Sequence, residues 1–169
     1  MHILVAEDHP INQKFIAKLL SRLGNCTFAL VGDGQQVLDY LAGGPPGTCP
    51  RPDLILMDVA MPILDGLHAT SIIRTSPLFA NNPSIATIPI VAVTASSMKQ
   101  DQEMIRQRGF DDILLKPIRS AALKGLLEFW GRSRVVLLPD PGQAGGIRRR
   151  IVTGLPPMER RGYRAKSVI

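Results

Sequence analysis

The sequence predicts a doubly wound α/β domain, in which helices cover both faces of one parallel sheet. Five short apolar segments alternate with five segments of helical periodicity over residues 2–131. Several of the apolar segments contain almost no polar residue, which is typical of strands buried on both faces. The alternation supplies the helical crossovers that parallel strands require. A chain of 169 residues is long enough for one such domain and a tail.

Five strands are predicted where short apolar runs meet acidic or turn-forming residues. The run from Asp53 to Asp58 shows the pattern most clearly, because only apolar residues stand between the two acids. The predicted strands span residues 2–6, 26–31, 53–58, 88–94 and 111–117.

The first predicted helix begins at Pro10, which suits a first helical turn, and stops at Gly24. Its apolar residues recur at helical spacing and predict one buried face, made of Phe15, Ile16, Leu19, Leu20 and Leu23. Further helices are predicted at residues 37–41, over about ten residues from Gly66, and at 98–108 and 121–130, whereas the Pro-, Asn- and Ser-rich segment 76–87 predicts a polar loop.

The basic character of the chain resides in its C-terminal part. The formal net charge is +6, but residues 1–130 carry 11 Lys or Arg against 12 Asp or Glu, whereas residues 131–169 carry 9 against 2. We therefore expect a domain at 2–131 and a basic, flexible tail at 132–169, with residues 135–138 as one more short strand. Nucleic-acid binding is not expected of residues 1–131 and stays open for the basic tail, because a run of charges is most often a solvated segment.

The composition also indicates in which part of the cell the protein is located. The apolar runs are too short to cross a membrane, and no secretory signal precedes the first strand, so no membrane partner is expected. The cysteines, Cys26 and Cys49, lack CxxC spacing and fit a reducing environment. A cytoplasmic protein is predicted, with the nucleus as the alternative.

Polar residues follow four of the five predicted strands. Glu7 and Asp8 follow the first strand, Asp58 ends the third, and Thr94 and Lys116 end the fourth and fifth. The carboxyl ends of parallel strands meet at one edge of a sheet, where ligands bind in this fold class. Each residue alone has a simpler role as a turn, cap or solvated residue. Three crowded carboxylates, however, require a cation, and oxygen ligands favour Mg²⁺, with Mn²⁺ as an alternative ion.

This set of side chains suits acceptance of a phosphoryl group. A carboxylate nucleophile, a cation, a hydroxyl and an ammonium together match the negative charge that develops on the phosphoryl oxygens. Asp58 is the predicted nucleophile and Lys116 the predicted charge partner of one oxygen. The predicted metal ligands are Glu7, Asp8, Asp58 and the carbonyl of Ala60; the predicted phosphate contacts are the Thr94 hydroxyl and the amides of Ala60 and Ala95.

Four sequence motifs resemble those of receiver domains in two-component response regulators and hybrid histidine kinases. The motifs cover residues 3–14, 56–66, 91–95 and 115–118. Their characteristic positions are separated by 50, 36 and 22 residues and are occupied by Asp8, Asp58, Thr94 and Lys116. The resemblance implies a flavodoxin-like sheet of strand order 2-1-3-4-5. It also implies a phosphorelay role, with a phosphohistidine on a histidine kinase or a phosphotransfer protein as donor. The sequences of the loop at 75–89 and of the segment 113–117 are most similar to those of receivers in fungal hybrid kinases.

The chain departs from the family pattern at three places. His9 replaces a frequent Asn beside the acid pair, on the side that faces the partner. Ile113 replaces the usual aromatic residue three positions before the lysine, so a smaller response to phosphorylation is expected around it. The loop at 75–89 is longer than in compact receivers. We expect the docking face to include His9, Ile11 and Pro117, and the Lys116–Pro117 bond to be cis.

Three alternative functions remain to be weighed. A phosphatase that uses an aspartate nucleophile needs a second acid two residues later, and Ala60 stands there. A flavodoxin-like cofactor binder needs a phosphate-binding loop after the first strand, where this chain has Glu7 and Asp8. A degenerate receiver would act only as a binding module, but the acid and lysine positions are complete. The prediction is a signalling switch or relay and not a turnover enzyme.

Overall fold

A computed structural model describes residues 1–43, 49–140 and 147–154 of the chain. Within these ranges the strands are β1 His2–Ala6, β2 Thr27–Val31, β3 Leu54–Asp58, β4 Ile90–Thr94, β5 Asp112–Leu115, β6 Arg134–Pro139 and β7 Ile147–Val152. The helices are α1 Pro10–Leu23, α2 Gly34–Ala42, α3 Gly66–Thr75, α4 Pro77–Ala80, α5 Pro83–Ala86, α6 Lys99–Gln107 and α7 Ser120–Gly131.

The first five strands form one parallel sheet of order β2-β1-β3-β4-β5. This order confirms the predicted flavodoxin-like topology. Ala6 pairs with Met57 and Asp58 pairs with Val93, so the carboxyl ends of β1, β3 and β4 lie side by side. β5 follows at the edge, where Thr94 pairs with Leu115. The sheet therefore brings Glu7, Asp8, Asp58, Thr94 and Lys116 together at the carboxyl ends of four neighbouring strands.

Two apolar cores lie on opposite faces of the sheet. Alternate residues of β3 enter different cores, Ile55 and Met57 on one face and Leu54 and Leu56 on the other. Helices α2, α3 and α6 cover the first face, and α1 and α7 cover the second. All four residues are fully buried, which explains why the strand reads as a continuous apolar run.

The segment at 76–87 differs from the predicted polar loop, because it contains the short helices α4 and α5. Each begins with a proline in its first turn, and the Asn82 side chain caps α5 by accepting from the Ser84 N–H. Phe79 and Ile85 are 4% and 8% exposed and join the core beside α3. Burial of these side chains gives regular structure to a segment whose composition favours turns.

The C-terminal part also differs from the prediction. β6 contains the predicted short strand, but Ile147–Val152 form a further strand, β7, antiparallel to β6. The prediction of an irregular tail is therefore wrong for residues 147–152. Residues 44–48, 141–146 and 155–169 lie outside the described part, and with them most of the predicted tail.

In the described ranges, no helix has the length and apolar character needed to cross a bilayer.

Candidate functional site

Asp58, the last residue of β3, lies at the centre of the site and is 6% exposed. The Lys116 ammonium donates to Asp58 Oδ2 at 2.5 Å. The Ala60 N–H donates to Asp58 Oδ1 at 3.3 Å, so the backbone after the strand also faces this carboxylate. Asp58 is thus a buried carboxylate fixed by a cation and a main-chain donor.

Glu7 is the most buried acid of the site, at 1% exposure. Lys116 donates to its Oε2 at 2.8 Å, and the Asn12 side chain donates to its Oε1 at 2.7 Å. Gln13 donates to the Glu7 main-chain carbonyl at 2.6 Å. Sequence reasoning assigned no role to Asn12 or Gln13, although both stand in the first motif. Their position in the opening turns of α1, directly after the acid pair, was the available signal.

Asp8 completes an acidic cluster with Glu7 and Asp58, whose nearest carboxylate oxygens all lie within 4.8 Å of one another. Asp8 is exposed, and within the described ranges no hydrogen bond or ion pair occupies its carboxylate. Three carboxylates against the single ammonium of Lys116 leave two negative charges at the site. The geometry brings together all three predicted side-chain metal ligands.

The ionisation of these groups reflects burial and mutual contact. Burial disfavours the charged form of Glu7, but hydrogen bonds from Lys116 and Asn12 outweigh it and hold the pKa of Glu7 below its ordinary value. Burial raises the pKa of Asp58, and the Lys116 contact only partly opposes this. Burial also disfavours charged Lys116, but its bonds to Asp58 and Glu7 raise its pKa. The ammonium is therefore firmly charged.

Thr94 ends β4 next to Asp58 in the sheet and is 7% exposed. Its hydroxyl oxygen accepts the Ser96 N–H at 3.1 Å, and the Ser96 hydroxyl in turn bonds Asp101 of α6. Ala95 is exposed at the start of this loop. The Thr94 side chain is thus connected to α6 through Ser96 and Asp101, a link that sequence reasoning missed.

A cleft of about 390 Å³ adjoins the acidic cluster. Its lining combines site residues with apolar side chains of α1 and of the segment after β5: Glu7, Asn12, Phe15, Ile16, Ala95, Lys116, Pro117 and Ile118. The Lys116–Pro117 bond is cis, which confirms the prediction. Phe15 was predicted to face the core with the other apolar residues of α1, but it is 47% exposed because it stands at the cleft.

The three predicted docking residues are exposed: Pro117 lines this cleft, and His9 and Ile11 lie at the start of α1, the helix that forms one of its walls. Ile11 is 70% exposed, and it precedes Phe15 by four residues, so both lie on one side of α1. The His9 ring caps α1, with Nδ1 accepting the Ile11 N–H at 3.3 Å. Pro117 is exposed at the other wall. An apolar strip, defined as Ile11 and Phe15, therefore borders the site.

Ile113 lies in β5, half-buried against the core that contains Ile105 and Phe110. The aliphatic side chain fills part of this core on the α6 side of the sheet. Position 113 therefore has no aromatic ring that could rotate between a buried and an exposed orientation.

The family model for the response regulator receiver domain matches residues 3–128. The chain belongs to the response regulator receiver domain family. Receiver domains are signalling modules, and members of this family act in two-component phosphorelays. The match covers the parallel sheet except for His2, the first residue of β1, and it includes every residue of the acidic cluster.

The relatives include proteins of slime moulds and fungi. Hybrid signal transduction histidine kinase I of Dictyostelium discoideum is 43% identical over 121 residues, which are 72% of this chain and 7% of that protein. Two-component system protein A of Emericella nidulans is 35% identical over 129 residues, 76% of this chain and 17% of that protein. This receiver thus spans less than a fifth of the length of either relative.

Two solved receivers share the fold. The receiver domain of a sensor histidine kinase from Pseudomonas aeruginosa, with a magnesium ion in its active-site cleft, is 36% identical, with a TM-score of 0.61 over 75% of this chain and 93% of that one. The receiver domain of Ssk1 from Saccharomyces cerevisiae, in complex with the histidine phosphotransfer protein Ypd1, is 30% identical. Its TM-score is 0.64, and the match covers 78% of this chain and 88% of that one.

Proposed function

We propose that this receiver accepts a phosphoryl group on Asp58 from a phosphohistidine and acts as a switch or relay in a Mg²⁺-dependent phosphorelay. The observation that carries the proposal is the position of the Asp58 carboxylate, buried at a strand end, bonded to Lys116 and flanked by Glu7 and Asp8. A lone strand-end aspartate would be a turn residue. The Lys116 ammonium and the two neighbouring acids support a role for Asp58 as a nucleophile beside a fixed positive charge.

In the proposed reaction an Asp58 carboxylate oxygen attacks phosphorus as the bond to the donor histidine nitrogen breaks. The nitrogen keeps the electron pair of that bond, and an acyl phosphate forms on Asp58. Lys116 balances the charge on one phosphoryl oxygen. The Thr94 hydroxyl at the end of β4, the Ala95 N–H after it and the Ala60 N–H after β3 would donate to the others, with the Ala60 N–H exchanging its bond to Asp58 Oδ1 for one to a phosphoryl oxygen.

The donor set of the acidic cluster fits a divalent cation. Its two uncompensated negative charges match the charge of Mg²⁺, and carboxylate oxygens within 4.8 Å of one another can reach one ion. Glu7, Asp8, Asp58 and the Ala60 carbonyl would hold it, with Mn²⁺ as an alternative ion. When bound, the ion supplies positive charge to a phosphoryl oxygen. The magnesium in the Pseudomonas aeruginosa receiver supports this assignment.

Replacing Asp8 with alanine should weaken Mg²⁺ binding without unfolding the receiver. Asp8 is exposed, and its carboxylate makes no hydrogen bond or ion pair with the described residues. We expect the affinity to fall by at least about tenfold, since the loss of even an outer-shell partner costs metal sites about that much. Isothermal titration calorimetry measures the change. Asp39→Ala, an exposed acid of α2, is the matched control. Equal affinity in the two variants would remove Asp8 from the metal site.

The donor is proposed to be a histidine kinase or histidine phosphotransfer protein that docks over the cleft. The apolar strip of Ile11 and Phe15 borders the acidic cluster, with His9 and Pro117 beside it. Exposed apolar side chains next to a reactive group are suited to partner contact. The complex of the Ssk1 receiver with Ypd1 supports a phosphotransfer protein as the partner class.

Introducing a charge at Ile11 should slow phosphoryl transfer from a protein donor. We expect Ile11→Glu to lower the transfer rate by about tenfold, a value typical of an apolar contact in the centre of an interface. Leu78→Glu is the matched control, since Leu78 is 67% exposed but lies on α4. Rates are measured with a phosphorylated phosphotransfer protein and, separately, with acetyl phosphate. A loss with both donors would indicate damage to the site and contradict a docking role.

Transfer itself is tested with a phosphotransfer protein carrying ³²P on histidine. The label should move to the receiver in the presence of Mg²⁺, and the receiver-bound label should be released by hydroxylamine, as an acyl phosphate is. No movement of the label, or a product resistant to hydroxylamine, would overturn the proposal. Continued release of free phosphate with repeated turnover of a small phosphoester would favour the phosphatase alternative. Stable partner binding without transfer would favour a degenerate receiver.

A cytoplasmic or nuclear location is proposed on cysteine content alone, since the chain has only two cysteines.

A further inference from the structure

The side chain of Asn12 takes part in no step of the proposed reaction, and the start of its helix does not explain its contact either. Asn12 lies in the first turn of α1, three positions after the N-cap residue His9. Polar side chains at this place commonly bond the local backbone. The His9 ring already caps the helix by accepting the Ile11 N–H at 3.3 Å. The Asn12 side chain reaches back five residues to Glu7 instead.

The protonation of the acid fixes which end of the Asn12 amide faces Glu7. The Lys116 ammonium pairs with Glu7 Oε2 at 2.8 Å, so Glu7 is an ionised carboxylate. An ionised carboxylate accepts hydrogen bonds and donates none. The amide nitrogen of Asn12 therefore faces Glu7, and it donates to Oε1 at 2.7 Å.

Two donors from different elements hold the Glu7 carboxylate by its two oxygens. Lys116, directly after β5, holds Oε2, and Asn12 of α1 holds Oε1. Among the described residues, the other donor to Oε1 is the His9 N–H, at the longer distance of 3.3 Å. Glu7 is 1% exposed, so the carboxylate depends on protein donors. Without Asn12, Oε1 would keep a single long hydrogen bond.

This orientation of Glu7 brings the acidic cluster together. In it, one carboxylate oxygen of Glu7 lies within 4.8 Å of oxygens from Asp8 and Asp58. A glutamate side chain has several rotatable bonds, so a carboxylate held on one side only can turn away from the other two acids. A cation would then have to order Glu7 as it binds, which lowers affinity. Side chains that bond a metal ligand and orient it support metal binding in this way.

We propose that Asn12 is a positioning residue of the site, which holds Glu7 Oε1 and thereby fixes the carboxylate where Glu7, Asp8 and Asp58 converge on a divalent cation. This inference rests on the proposed function, because it takes the acidic cluster to be a Mg²⁺ site. Asn12 acts through Glu7 and is not assigned as a metal ligand. The next residue, Gln13, differs from it, since Gln13 bonds the main-chain carbonyl of Glu7 at 2.6 Å and not the carboxylate.

Isothermal titration calorimetry with Mg²⁺ tests the inference. We expect Asn12→Ala to lower the affinity at least about tenfold, the smallest loss typical of removing a partner of a metal ligand. Gln13→Ala is the matched control and should keep the affinity of the parent chain. Parent affinity in Asn12→Ala would overturn the proposal. An equal loss in Gln13→Ala would also overturn it, because any loosening of α1 would then have the same effect.

The Mg²⁺ dependence of phosphorylation by acetyl phosphate separates positioning of the metal ligand from general damage. In Asn12→Ala the Mg²⁺ concentration for half-maximal rate should rise by the factor that calorimetry gives, whereas the rate at saturating Mg²⁺ should stay close to that of the parent. A lower saturating rate with an unchanged Mg²⁺ requirement would place Asn12 in the chemical step and contradict the proposal.

Asp8→Ala distinguishes failure of this inference from failure of the proposed function. If Asp8→Ala weakens Mg²⁺ binding and Asn12→Ala does not, the metal site stands and the role of Asn12 is wrong. If the parent chain binds no Mg²⁺, the proposed metal site and the role of Asn12 are both wrong.

Discussion

Replacing Asp58 with asparagine is expected to leave the receiver folded and to abolish its phosphorylation. Asparagine has nearly the same shape, and Lys116 keeps its 2.8 Å contact with Glu7. The amide oxygen, however, carries no charge with which to attack phosphorus. Intact mass after incubation with acetyl phosphate and Mg²⁺ should show one added phosphoryl group in the parent chain and none in the variant.

The matched control for this experiment is Asp39→Asn, an exposed acid whose carboxylate contacts only Gln35 among the described residues. It should be phosphorylated as the parent is. If Asp58→Asn gained the phosphoryl group as readily as Asp39→Asn, the acceptor would be another residue. Circular dichroism on both variants confirms that any loss is chemical and not a failure to fold.

Replacing Gly66 with alanine is expected to destabilise the receiver severely and also to disturb the position of Asp58. A Cβ at this position would overlap the Asp58 carbonyl oxygen and lie 2.9 Å from Met57 Cγ. The helix α3 begins there against the end of β3, and the Gly66 N–H donates to the Val59 carbonyl at 3.0 Å. Overpacking in a rigid core costs about 1–3 kcal/mol, and we expect about 3 kcal/mol here because the neighbour is backbone.

Gly125→Ala provides the opposite control. Gly125 lies inside α7, and a Cβ there would meet nothing within 4 Å. Alanine in a helix interior is favoured over glycine by about 1 kcal/mol, so this variant should gain stability. Urea unfolding compares the two. A Gly66→Ala variant as stable as the parent would show that the end of β3 can shift, and the close approach would lose its role in placing Asp58.

Much of the site was predictable because strand ends are visible in the sequence. β3 is apolar throughout and stops at Asp58, so both the strand and its terminal side chain follow from hydrophobic pattern and topology. The roles of Asn12 and Gln13 were not predictable in this way. Their position directly after the acid pair was the available signal, but their contacts with Glu7 depend on how α1 turns back after β1, which the hydrophobic pattern does not show.

The parts that were missed depend on contacts between distant residues. Phe15 follows the helical periodicity of α1 but stands at the edge of the cleft, where periodicity cannot distinguish core from rim. β7 reads as a charged segment because half of its residues are arginines. Its pairing with β6 and the contact of Arg149 with Asp111, 38 residues away, have no local signal. Propensity alone assigns such a segment to a tail.

The strand order β2-β1-β3-β4-β5 has a consequence for how the molecule is assembled during synthesis. From β1 outward, β3, β4 and β5 lie in the order of the chain, so a sheet that grows from its N-terminal strands would add β5 last. Glu7 and Asp58 are therefore brought together before β5 delivers Lys116, their cationic partner. Crowded carboxylates without that partner repel each other and resist burial. Docking of the last strand thus brings Lys116 to the buried acids and lowers the formal charge of the cluster from −3 to −2, so completion of the sheet and partial compensation of these charges occur in one step.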